Sequence, residues 1–132
     1  MSRLKPLQPP DAHHLQAAQG WLELGNWQEA NAELENITPE LRVHPDVLRI
    51  RWHVYASAKH WHLAVEVTKA LTTMLPNDAE SWLGLACSEC QLGRLGEAKR
   101  CLGKALDLDA RLRLLALEAP DLEPLWRNIG KV

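Results

Sequence analysis

AESWLGLACSECQLGRLGEAKRCLGKALDLDA, residues 79–110, decides the fold. It reads as two amphipathic helices of similar length, interrupted at Gly93, with small residues where the two would touch. Upstream the same spacing recurs twice, at an interval of 34 residues. At that offset Ala30, Ala64 and Ala98 coincide, as do Trp27, Trp61 and Leu95. Leu34, Thr68 and Leu102 align, and so do Ile37, Leu71 and Ala105. In the first helices Ala18 aligns with Trp52 and Ala86, Trp21 with Tyr55, and Gly25 with Gly93.

Two helices per 34-residue period is the pattern of stacked helical hairpins. A single pair of this size leaves an apolar face uncovered, so neighbouring pairs bury it by stacking. Alanine at 30, 64 and 98 removes bulk where helix axes approach to about 8–10 Å. Gly25 and Gly93 suit the left-handed residue that ends a helix before a tight turn.

The rest of the chain falls into place around this period. Residues 1–10 hold three prolines without helical periodicity and read as a flexible arm. Asp11 is the expected N-cap of a first helix running to Leu24, and Trp27 to Ile37 forms its partner before Pro39. Pro45-Asp46 opens a helix to about Ser57, Trp61 to Met74 forms the next, and Asp78 caps the segment that follows. Beyond Asp109 a short apolar helix over about 111–117 precedes a break at Pro120-Asp121. A last turn or two then carries Leu122, Leu125 and Trp126. A stack exposes an apolar end unless a terminal segment covers it, so residues 111–132 read as a cap. An exposed tryptophan favours a partner, so Leu125 and Trp126 also suggest a self-association surface.

Over about residues 11–110 the sequence resembles the tetratricopeptide repeat family. Its motif positions hold Trp82, Leu85, Ala86, Gly93, Glu97, Ala98, Leu102 and Ala105 in the third copy. The first has Ala18, Trp21, Gly25, Glu29, Ala30, Leu34 and Ile37; the second has Leu48, Tyr55, Ala64, Leu71 and Pro76. The second departs most: Trp52 replaces a small residue, Thr68 a large apolar one, and Lys59 the helix-ending glycine. We expect Trp52 to fill a locally wider helix crossing in which Thr68 leaves room. A left-handed Lys59 costs about 1 kcal/mol relative to glycine; the alternative is a differently shaped turn.

The resemblance implies an all-α fold: a right-handed superhelical stack of three antiparallel hairpins (about 11–44, 45–78 and 79–110) with a C-terminal capping helix, in one domain over 11–132. It also implies a concave groove lined by the first helices, which holds a protein or peptide segment. The groove positions are Leu15, Gln19 and Leu22; Asp46, Arg49, His53 and Ser57; and Glu80, Leu83, Cys87, Cys90 and Gln91. Members that clamp a C-terminal carboxylate use Lys, Arg and Asn at positions that here hold Leu15, Gln19, His53 and Leu83. Only Arg49 matches, so a carboxylate clamp is not expected.

Composition bounds the function. A net charge of −2 with mixed signs and no basic run argues against nucleic-acid binding. No apolar run approaches the roughly 20 residues of a membrane helix. MSRLKPLQPP lacks the apolar run of a secretory signal, and three cysteines, an odd number, suit free thiols in a reducing compartment, so a cytoplasmic protein is expected. Cys87 and Cys90 form a Cys-x-x-Cys inside a helix, without the helix N-terminus or cation that stabilises a redox thiolate. A thiol or metal site joining them to His53 is the rival reading, though zinc needs further ligands. His13-His14 and His60-x-His62 are spaced as surface or turn residues. No catalytic triad, paired carboxylates or phosphate loop is present. The expectation is a non-catalytic scaffold or adaptor without metal or cofactor, a monomer or weak homodimer.

Overall fold

The computed structural model describes residues 5–129; residues 1–4 of the N-terminal arm and 130–132 of the C-terminal segment lie outside the described residues. Every regular element among the described residues is helical. In order these are α1 (Asp11–Glu23), α2 (Trp27–Leu34), α3 (Pro45–Ser57), α4 (Trp61–Met74), α5 (Ala79–Gln91), α6 (Leu95–Leu108), α7 (Arg113–Glu118) and α8 (Glu123–Ile129). Short 3-10 turns at Pro39–Leu41, Ala110–Leu112 and Pro120–Leu122 fill the breaks, two of them opened by proline.

The 34-residue period reappears in the backbone. Gly25, Lys59 and Gly93 adopt φ of 76°, 60° and 80°, the left-handed values that end a helix. Each is followed by the same pair of hydrogen bonds. Asn26 N–H donates to Trp21 O at 2.9 Å, His60 N–H to Tyr55 O at 2.8 Å and Arg94 N–H to Glu89 O at 2.9 Å. Gly25, Lys59 and Gly93 N–H donate to the carbonyls of Leu22, Ala56 and Cys90. These are Schellman turns at identical repeat positions. Of the two alternatives for Lys59, the structure takes the left-handed residue. Lys59→Gly is therefore expected to raise stability by about 1 kcal/mol, read as a higher urea midpoint at unchanged slope. At Gly25 and Gly93 an added Cβ would meet open space, so alanine there would be resisted by φ alone.

The chain divides into two compact units, with the boundary between His60 and Trp61. In the first, α1 packs on α2, and α3 packs on both. Its core is Ala18, Ala30, Leu34, Ile37, Val47, Ile50 and Val54, with Leu7, Leu15, Trp21, Leu22, Trp27 and Tyr55 packed against it. Leu7 and a 2.8 Å hydrogen bond between His44 Nε2 and the Lys5 carbonyl tie the described part of the arm to this unit.

Asp11 does not cap α1. It is the first helical residue, behind Pro10, and its carboxylate reaches 27 residues ahead. Thr38 N–H donates to it at 2.9 Å and Thr38 Oγ1 at 2.9 and 3.1 Å. The reason is competition: these donors close the hairpin end, whereas a cap bond satisfies only a solvated helix terminus. The Thr38 donors hold the Asp11 carboxyl below its ordinary range. A depressed carboxyl contributes stability that is present above its unfolded pKa of about 4 and is lost as pH falls through the folded value. We therefore expect unfolding below about pH 4 to become less steep in Asp11→Asn, which loses that contribution at every pH. Identical acid profiles for the two proteins would exclude it.

Side chains outside the expected set cap two other helices. Asn26 Oδ1 accepts Glu29 N–H at 3.0 Å, and His44 Nδ1 accepts Asp46 N–H at 3.1 Å ahead of Pro45. Asp78 holds the N-cap position of α5 but makes no side-chain cap bond to the helix; its carboxylate accepts the Ser81 hydroxyl instead. Arg51, a charged residue in an otherwise apolar face of α3, is buried because Asn31 Oδ1 (2.7 Å) and Glu35 Oε1 (2.9 Å) on and beside α2 take its guanidinium. Trp52 is half-buried, against His53 with ring centroids 4.7 Å apart, whereas Ala18 and Ala86 at the same repeat position are fully buried.

In the second unit α5 packs against α4 on one side and α6 on another. Residues 83–90 of α5 are all buried, an all-round burial that its small and apolar side chains permit. Thr68 is fully buried, and its hydroxyl is satisfied within α4 by the carbonyls of Ala64 (2.8 Å) and Val65 (3.2 Å). Glu89 stands where the first two copies have Trp21 and Tyr55; it is buried and accepts Arg94 Nη1 at 2.9 Å. The C-terminal segment packs on α5 through the Pro120–Leu122 turn and α8, and α8 also meets α6 and α7.

Candidate functional site

The first helices α1 and α3 border an open cleft of about 380 Å³, lined by Gln19, Leu22, Glu23, Ile50, His53 and Ser57. Four of these are positions for which the family resemblance implies a groove: Gln19, Leu22, His53 and Ser57. Leu22 and Ile50 give the cleft an apolar floor continuous with the unit's core. Gln19, Glu23, His53 and Ser57 stand exposed around it. Glu23 and Ile50 went unnoticed in the sequence, although helical spacing could have found them. Glu23 lies four residues after Gln19 and Ile50 three before His53, so each shares its neighbour's face.

The remaining assigned positions divide. Leu15 is half-buried against the core of the first unit. Asp46 Oδ1 and Arg49 Nη1 pair at 3.2 Å near the start of α3. Glu80 is exposed near the start of α5. Leu83, Cys87 and Cys90 are buried, at 9%, 6% and 2% exposure. The family resemblance implies a groove face for the two cysteines; in the structure the chain's own C-terminal segment lies there. Gln91 Nε2 donates to the Asp121 carbonyl at 2.8 Å, and Leu125 N–H faces the Cys90 sulfur.

This burial sets the thiol chemistry. Desolvation, with the nearby Asp121 charge and then Cys90 adding to it, pushes Cys87 up to about 12. Burial also raises Cys90, as do Asp121 and Glu123, against the lowering effect of the Leu125 N–H; burial raises Cys101 as well. Thiols held protonated in this way are poor nucleophiles. All three are free cysteines, and among the described residues no group of three or more His, Cys, Asp or Glu is arranged to hold a metal ion. His53 belongs to the first unit, and Cys87 and Cys90 to the second.

At the C-terminus, Leu125 is buried and Trp126 half-buried with its indole N–H on the Ala116 carbonyl at 3.2 Å. The two residues read as a self-association surface are therefore engaged within their own chain. Within this C-terminal segment, α7 leaves apolar side chains in solvent: Leu114, Leu115 and Leu117 at 65%, 56% and 55% exposure. No helix among the described residues is long and apolar enough to cross a membrane. Comparison with protein families and with curated proteins finds no family model and no curated sequence that matches this chain.

Proposed function

We propose that this chain is a tetratricopeptide-type binding module, a right-handed stack of hairpins that holds a partner peptide along its first helices as a cytoplasmic scaffold or adaptor without chemistry of its own. The observation that carries the reading is the cleft beside α1 and α3. Four of its six lining residues are ones for which the family resemblance implies a groove, and an apolar floor with a polar rim suits a peptide. The three Schellman turns at one period support the repeat assignment.

The test is selection of a random peptide library on the purified chain, followed by titration of enriched peptides against Gln19→Glu/His53→Glu. Both side chains are exposed, so helicity should be unchanged while affinity falls about tenfold or more, the scale of losing one or two desolvated polar contacts. Peptides that bind the double variant as well as the parent would rule out the cleft as the site.

A further inference from the structure

We infer that the α5 face carrying Cys87, Cys90 and Gln91 is a second peptide site, whose ligand is a short helical segment with two leucines three residues apart, and that residues 120–127 of the chain itself occupy it at rest. It rests on the proposed reading of the first helices as peptide-holding faces, and it supplies the ligand chemistry of one of them. The contacts are those of a bound peptide. A side-chain amide, Gln91, reads a main-chain carbonyl, that of Asp121, which any segment can offer. Two anchors three residues apart, Leu122 at the end of the Pro120–Leu122 3-10 turn and Leu125 in the first turn of α8, are buried at 0% and 3% exposure.

An extended residue joins the segment to α7. Ala119 is extended, with φ −67° and ψ 119°, and Pro120 follows it. Between α6 and α8 there are only two 3-10 turns and the six-residue α7, each too short to be stable by itself. The segment's position is therefore set by its contacts. α7 adds to this: a terminal cap presents a polar outer face, but α7 presents three leucines. Tethering gives the segment an effective concentration of roughly millimolar, so an outside peptide of the same kind competes only above that level or with better anchors.

The two thiols beneath the segment report its opening, and Cys101, fully buried on α6, reports global unfolding. The experiment alkylates the full chain under native conditions and follows each cysteine by peptide mapping. Cys87 and Cys90 are expected to react about tenfold faster than Cys101, because the segment opens locally without the core. In Leu125→Ala all three rates rise, by about thirtyfold, because weaker docking lowers the free energy of both openings alike, so Cys87 and Cys90 keep their lead over Cys101. A synthetic peptide of residues 119–127 at millimolar concentration restores protection, and the same peptide with both leucines replaced by aspartate does not. Should Leu125→Ala unfold, the three rates converge, and Gln91→Ala then gives the readout. Three thiols reacting at one rate in the parent and Gln91→Ala, or a peptide without effect on the opened chain, would overturn the inference and leave residues 120–127 a fixed cap. Failure of the α1–α3 cleft reading is seen separately, because Gln19→Glu/His53→Glu leaves these rates unchanged.

Discussion

Arg94→Ala is expected to lower the unfolding free energy by about 2–3 kcal/mol, a large effect for a side chain that is 47% exposed. The reason lies in its partner. Glu89 has a side chain only 3% exposed, at a repeat position that holds Trp21 and Tyr55 in the other copies. Its carboxylate accepts Arg94 Nη1 at 2.9 Å, and alanine leaves that acceptor buried beside α5's apolar neighbours without its charge partner. Breaking a fully buried pair costs about 3–5 kcal/mol, and the exposure of Arg94 places this one below that range. The backbone bond from Arg94 N–H to Glu89 O survives the substitution, so the loss belongs to the side chain. Glu89→Leu combined with Arg94→Ala removes both charges and should recover most of the loss, since an apolar pair needs no compensation. Urea denaturation measures both variants. Arg94→Ala within about 0.5 kcal/mol of the parent would show that water, not Arg94, satisfies Glu89.

That pair shows where sequence reading stopped. The helices and turns were legible because each is governed by residues within four or five positions, and the small-residue contacts because they recur at the 34-residue period. Gly25 and Gly93 announce their turns, and Ala18, Ala30, Ala64, Ala86, Ala98 and Ala105 are all fully buried where the period placed them. Asp11 was legible as a helix-start residue but not as the acceptor for Thr38, because 27 residues separate them. Arg51 drew no notice, since its acceptors Asn31 and Glu35 lie on and beside another helix. Cys87 and Cys90 were placed on the correct helix. What covers them begins about 30 residues later and is fixed by tertiary packing, which periodicity does not encode. The apolar run after Asp109 likewise signalled a cap, yet hydrophobicity alone could not say that Leu122 and Leu125 turn inward while Leu114, Leu115 and Leu117 face solvent.

This last contrast carries the second large prediction. Leu122→Ala and Leu125→Ala should each cost about 2–3 kcal/mol, the lower part of the range for leucines truncated in a core. Leu114→Ala, Leu115→Ala and Leu117→Ala should stay within about 0.5 kcal/mol of the parent, although they sit in the same apolar run. A side chain already in water has little transfer free energy to lose. The double variant Leu122→Ala/Leu125→Ala separates two kinds of cap. If residues 120–127 are continuous with the core, the two losses are felt together in one unfolding step and approximately add. If the segment docks as its own unit, global stability falls only by what docking contributes. Once the segment has detached, a second deletion removes nothing further. The extended Ala119 ahead of the segment and the contact of Gln91 with a main-chain carbonyl favour the second case, so the double loss should fall short of the sum by about 1 kcal/mol or more. Full additivity in urea denaturation, with hydrogen exchange in α8 as slow as in α5, would instead make the segment an ordinary part of the core, and its leucines structural rather than a ligand held in place.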